Sequence, residues 1–186
     1  MAEIRKGIAI RYKNEPYLVL DFKHVHKAND ITTYSLKVKH LKTGNVYNLT
    51  MKRDEPFEEI ELEKHQGIFS YKLNDETFVF FDNQTYEEVH LNKSDIENAL
   101  GYLKEGMELF ILYIDNQPIG IELPNFVELE VIETEPNFKG DTVAGGGKPA
   151  KLETGIVIKV PYFIEVGDII KVDTREDKYV ERVGKK

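Results

Sequence analysis

The chain has 186 residues, 41% of them hydrophobic, and no cysteine. That composition excludes wholesale disorder, disulfide staples, thiolate zinc sites and cysteine nucleophiles together. The net charge of −8 averages two unlike parts: residues 1–53 hold 11 Lys and Arg against 4 acids, or +7, and residues 54–186 hold 14 against 29, or −15. A split this steep is expected of a chain with one end made for a polyanion, although chance segregation of solvated faces produces it too. No apolar run approaches the roughly 18 residues of a membrane span, and "MAEIRKGIAI" lacks a signal-peptide core, so a cytoplasmic protein with no membrane partner is expected.

Short alternating segments dominate from the start. "IAIRY" (8–12), the turn "KNEP" and "YLVLDF" (17–22) predict strand, turn and strand. An unusual tip follows, residues 23–33, in which Lys23, His24, His26 and Lys27 precede Asn29-Asp30 and neither glycine nor proline occurs. "TTYSLKVKHL" (32–41) then alternates, with Tyr34, Leu36 and Val38 on one face and Ser35, Lys37 and Lys39 on the other. After the turn "KTGN" (42–45), "VYNLTMKR" (46–53) returns, which completes a half-polar barrel of about five strands.

The acidic stretch "DEPFEEIELEK" (54–64) marks a change of character, and the first domain is drawn as 1–64. Residues 65–125 read as a meander, a helix and a hairpin, hence an OB-like barrel. The helix is predicted from Ser94 and Glu97 as a capping box ahead of "IENALGYL". The third domain, 126–186, starts near "FVELEVIE" and passes through the glycine-rich loop "GDTVAGGGKPA" (140–150). Pro161 and Gly167 there predict a bend or bulge within the apolar pattern. The fold class is all-β: an SH3-like (KOW-like) barrel with a projecting tip, then two OB-fold barrels.

Several chemistries fail on these residues. His24 and His26 would lie on one side of a strand, but only His40 and His65, brought in by the fold, could complete a metal set; exposed histidines beside a polyanion site are the expected reading. "GGGKP" is no Walker loop, because Thr142 stands where the first glycine belongs and Pro149 follows Lys148. The acids fall on turns and alternating faces as solvated carboxylates do, so no enzyme site is nominated, and neither cofactor nor metal is expected. Binding remains. Lys37, Lys39, Lys42, Lys52 and Arg53 suit phosphate contacts, and a hairpin arm of about five residues carries the tip about 15 Å outward. An ordinary mobile, charge-solubilised loop is the competing account of that tip.

Lys148-Pro149-Ala150, Gly155, Ile158-Lys159-Val160-Pro161, Ile164 and Gly167 stand at the spacing of a family signature. Together with "PNFVELEVIETEP" (124–136), "KGDT" (139–142), "KVDTRED" (171–177) and "YVERV" (179–183), they make the chain resemble the bacterial elongation factor P family over nearly its whole length. The resemblance implies a non-enzymatic translation factor, monomeric and tRNA-like in overall shape. Such a factor binds both ribosomal subunits between the peptidyl and exit sites and relieves stalls at consecutive prolines by ordering the CCA end of peptidyl-tRNA. It further implies a tip of His26, Lys27, Ala28 and Asn29 facing peptidyl-tRNA, and an RNA contact at Arg182. Gly140, Asp141, Thr142, Gly145, Gly146 and Gly147 would form a loop near the mRNA of the exit-site codon. Lys27 stands where many members carry a lysine altered by a modifying enzyme. The usual Pro-Gly-Lys-Gly setting is replaced by Val25-His26-Lys27-Ala28, and the loop is about two residues longer. A divergent paralogue with other stall specificity, working unmodified, is therefore one alternative, and a single-stranded nucleic-acid-binding OB-fold protein is another.

Overall fold

The computed structural model describes residues 3–26, 32–136 and 146–185. Among the described residues, fifteen strands form three five-stranded antiparallel sheets, and no helix is long and apolar enough to cross a membrane. The first sheet contains β1 (Ala9–Tyr12), β2 (Glu15–His26), β3 (Thr32–His40), β4 (Val46–Lys52) and β5 (Glu58–Ile60), in the order β4-β3-β2-β1-β5. The β1–β2 turn uses Lys13 and Asn14 at φ 51° and 64°; this left-handed pair matches the twist of a two-residue hairpin. The alternation read in β3 is realised, with Leu36 and Val38 fully buried against Ile10, Val19 and Met51 while Lys37 is exposed.

The second sheet contains β6 (Leu62–Lys72), β7 (Thr77–Asp82), β8 (Glu88–Asn92), β9 (Glu108–Ile114) and β10 (Gln117–Glu122), ordered β10-β9-β6-β7-β8. Its edge strands β8 and β10 approach one another, which curls the sheet towards a barrel. The acidic stretch thus supplies β5 and the start of β6. The rings of Phe78 and Phe80 are buried, with Phe69 against both at centroid distances of 6.2 and 5.4 Å.

The predicted helix is not formed. Two single 3₁₀ turns, Lys93–Asp95 and Glu97–Ala99, stand in its place. Asp95 spends a carboxylate oxygen on the Asn92 N–H at 3.2 Å, and Ile96 between the turns has φ −133°, outside helical space. Eight residues would be too few to repay helix nucleation, so burial of Ile96 and Ala99 decides the local path.

The first two sheets belong to one compact unit, residues 1–100 with 108–122. They share a small core of Ala9, Leu41, Ile60 and Ile114, flanked by Leu18, Leu62 and Ile119. Gly101–Met107 packs with Leu123–Lys186 in a second unit. Tyr102 is the reason: its ring is 1% exposed within the third core, and its hydroxyl donates to Asp177 at 2.5 Å. Burial, then the Asp177 carboxylate, pushes the Tyr102 phenol far up, so it stays a donor.

The third sheet contains β11 (Phe126–Thr134), β12 (Lys148–Leu152), β13 (Val157–Val160), β14 (Asp168–Asp173) and β15 (Lys178–Lys185), ordered β13-β12-β11-β14-β15. The bend predicted at Pro161 and Gly167 is present: β13 ends at Val160, and Gly167 turns the chain at φ 93° into β14. Gly147 has no room for a side chain, since a Cβ would lie 2.6 Å from the Val160 carbonyl oxygen. Gly147→Ala is therefore expected to cost about 1–3 kcal/mol, read as a lower urea midpoint with unchanged slope.

Candidate nucleic-acid interface

The register of β2, β3 and β4 builds one basic face. Its cross-strand rows are Val25–Thr33–Lys52, Lys23–Ser35–Thr50, Asp21–Lys37–Asn48 and Leu18–Lys39–Val46. A bulge between Val19 and Asp21 inserts Leu20, and without it plain alternation would turn Lys23 to the inner face beside Val19. Asp21 is the one acid in these rows, and its carboxylate accepts the Phe22 N–H at 2.9 Å. Lys42 is exposed in the turn after β3, and Arg53, exposed after β4, donates its N–H to the Thr32 carbonyl at 3.2 Å.

Among the described residues, none of Lys23, Lys37, Lys39, Lys42, Lys52 and Arg53 has a carboxylate within ion-pair distance. Arg5 and Arg11, by contrast, are neutralised by Glu59 at 2.7 Å and Glu58 at 3.1 Å. Unpaired ammonium groups on one face attract polyphosphate without requiring exact geometry. The arm extends from this face: β2 and β3 remain paired out to His26 and Thr32, with Lys23 and Val25 on the basic side and the exposed His26 on the opposite side, with His24. Lys27, Ala28 and Asn29 lie outside the described residues.

On the third sheet, Arg182 is exposed on β15 opposite Ile170. Gly140, Asp141, Thr142 and Gly145 lie outside the described residues. Both feet of that segment are built firmly. Thr134 Oγ1 donates to the Pro149 carbonyl at 2.9 Å, and the ammonium of Lys148, 2% exposed, donates to the Glu135 carbonyl. Gly146 lies against Tyr162, where a Cβ would meet the hydroxyl at 2.2 Å, so a side chain there would disturb packing as well as any loop contact.

The profile described as the elongation factor P KOW-like domain matches residues 1–57, its OB domain residues 62–121, and its C-terminal domain residues 127–182. Proteins named elongation factor P are similar along nearly the whole chain. The one from Dictyoglomus turgidum is 48% identical over 176 residues, covering 95% of each chain. That from Aquifex aeolicus is 49% identical, covering 97% of this chain and 93% of its own, and that from Thermodesulfovibrio yellowstonii is 46% identical, covering 98% and 97%. The chain belongs to the elongation factor P family. It is thereby a translation elongation factor with KOW-like and OB-fold domains.

In this elongation factor P chain, sequence reasoning missed one polar centre. Asp82, taken with the solvated turn acids, is fully buried. Its Oδ2 accepts from Tyr113 Oη at 2.5 Å and His65 Nδ1 at 2.7 Å, and its Oδ1 accepts the N–H groups of Gln84 at 2.8 Å and Thr85 at 3.1 Å. Burial alone would raise its pKa; the hydrogen bonds from Tyr113, His65 and the backbone outweigh that and hold it at about 2. The same bond to Asp82 raises His65, so this histidine binds a structural carboxylate. His40, the other distant candidate, is 8% exposed; its Nε2 faces Glu15 Oε2 at 2.7 Å, while its Nδ1 accepts from Lys42 N–H and Thr43 N–H. The signal for Asp82 was local: an Asp that opens an Asp-Asn-Gln-Thr turn favours bonds to the amides two and three residues on.

Proposed function

We propose that this protein is a non-enzymatic, cofactor-free factor that binds the ribosome between the peptidyl and exit sites and stimulates peptide-bond formation at consecutive prolines. The observation that carries the reading, given the family, is the face of Lys23, Lys37, Lys39 and Lys52, none of them ion-paired among the described residues, at the base of the β2–β3 arm. Such a face holds RNA backbone, while an arm at its end acts on the CCA end of peptidyl-tRNA beyond the body. Proline resists reaction because its fixed φ and missing N–H restrict approach geometry, and orientation is what a factor without reacting groups can supply. The protein works in the cytoplasm as a monomer, contacting both subunits, with Gly146, Gly147 and the preceding loop towards the exit-site mRNA. Lys27 is the acting tip residue and the candidate for modification.

Ribosomes stalled at three consecutive prolines, supplied with the unmodified recombinant protein, test this. The expected result is faster peptide-bond formation, with Lys27→Ala losing most of the acceleration while stability changes by less than about 0.5 kcal/mol. Acceleration by Lys27→Ala equal to that of the unsubstituted protein would remove Lys27 from the mechanism. No acceleration by either the recombinant protein or protein from its native host would overturn the reading.

A further inference from the structure

Among the described residues, β2 beyond Val19 has a strand on one side only. β1 pairs with it from Glu15 to Leu18, whereas β3 pairs with it out to His26. On the other side of β3, β4 continues to Thr33. Residues 21–26 are thus an edge strand of this projecting ribbon, which has three strands as far as Thr33 and two beyond it. Side chains nevertheless pack on both faces of this ribbon, although His24 and Val25 themselves remain exposed. On the inner face His24 stands opposite Tyr34, ring centroids 4.6 Å apart, and Phe22 reaches His24 edge-on at 6.0 Å. Phe22 and Tyr34 in turn pack onto the core that holds Leu36 and Met51, so the rings form a ladder from core to arm. On the outer face Val25 and Lys52 flank Thr33, which is only 7% exposed.

We infer that His24 and Tyr34, backed by Val25 and Thr33, are positioning residues that fix the direction of the arm, so that the chain beyond His26 starts from a stiff base. The inference rests on the proposed function for its purpose, but the brace itself is a property of the free protein. In this role the imidazole works as a flat ring, and its nitrogens are not required. A polar histidine facing RNA would need those nitrogens, which separates the two accounts. A displacement of about 1 Å at a reacting group can cost about 100-fold in rate, so a looser arm is expected to act on the maximal rate.

Full-length His24→Ala and His24→Phe should be compared with the unsubstituted protein in two measurements. In hydrogen exchange, the amides of residues 32–35 are expected to exchange at least about tenfold faster in His24→Ala and as before in His24→Phe, with global unfolding unchanged. In the stalled triproline reaction, His24→Ala is expected to lower the rate at saturating protein about tenfold without raising the half-saturating concentration, and His24→Phe to restore it. Unchanged exchange in His24→Ala overturns the brace whatever the activity shows. Faster exchange with full activity, a loss that His24→Phe does not rescue, or a loss confined to half-saturation overturns the positioning role. If the unsubstituted protein fails to accelerate the reaction, the proposed function fails, while exchange alone still decides the brace.

Discussion

Asp82→Asn is expected to destabilise the first unit by about 3–5 kcal/mol, the range for breaking a buried ionic cluster by removing one partner. The carboxylate joins three strands at once: it starts from the end of β7 and accepts from His65 on β6 and Tyr113 on β9, with the Gln84 and Thr85 amides closing the turn. An amide of equal size offers one acceptor where two oxygens now receive four donors, leaving buried groups unsatisfied. Against a typical total of 5–15 kcal/mol this is a large fraction, and the melting temperature should fall by on the order of 10 °C or more. The pH dependence has a defined sign. Asp82 is held at about 2 in the folded protein against an ordinary 3.8, so its contribution is present above about pH 4 and is lost as pH falls towards 2. His65 is raised from 6.5, so its contribution is present below that value and is lost as pH rises through the folded value. Urea midpoints from pH 2 to 9 should show the difference between the two proteins shrinking in acid. A constant difference across that range would remove Asp82 from the acid limb.

Replacing Lys37, Lys39 and Lys52 together by alanine is expected to weaken ribosome binding on the order of 100-fold at low salt, taking up to about 1 kcal/mol for each exposed ionic contact. The diagnostic quantity is the salt slope. Every RNA phosphate that the variant leaves unneutralised takes about 0.7–0.9 off the slope of log affinity against log salt, so the triple variant should flatten it by roughly 2–3. Stability should change little, because Lys37 and Lys52 are exposed and none of the three has an ion-pair partner among the described residues. An unchanged slope would show that the ribosome does not read this face, whatever happens to the affinity.

Most of the strand pattern was legible because burial on one face leaves a period of two in the sequence, as in Tyr34, Leu36 and Val38. The hairpin turn at Lys13-Asn14 was legible because such a turn needs left-handed backbone, which Asn14 tolerates. The helix was misread because a capping pattern reports only local preference, and eight residues give it too little length to act on. Tyr102 was invisible for a different reason, its partner lying 75 residues away in the chain; Asp82 gave a local turn signal, but its partner Tyr113 lies 31 residues on. The basic face was half legible. Lys37 and Lys39 follow from alternation, but Lys23 joins them only through the bulge at Leu20, which reverses the parity of everything beyond it.

The small core of Ala9, Leu41, Ile60 and Ile114 bears on how this architecture can be rearranged. Two of these side chains lie on β1 and β5, a third in the turn after β3, and the fourth at the end of β9. The first sheet is therefore not an exchangeable cassette. Cutting the gene between β5 and β6 would separate sequences that mature as one solid, and a transplanted first sheet would need a recipient offering an isoleucine where Ile114 stands. Variation in the arm can proceed residue by residue, whereas wholesale replacement of the barrel that carries it must drag its neighbour along.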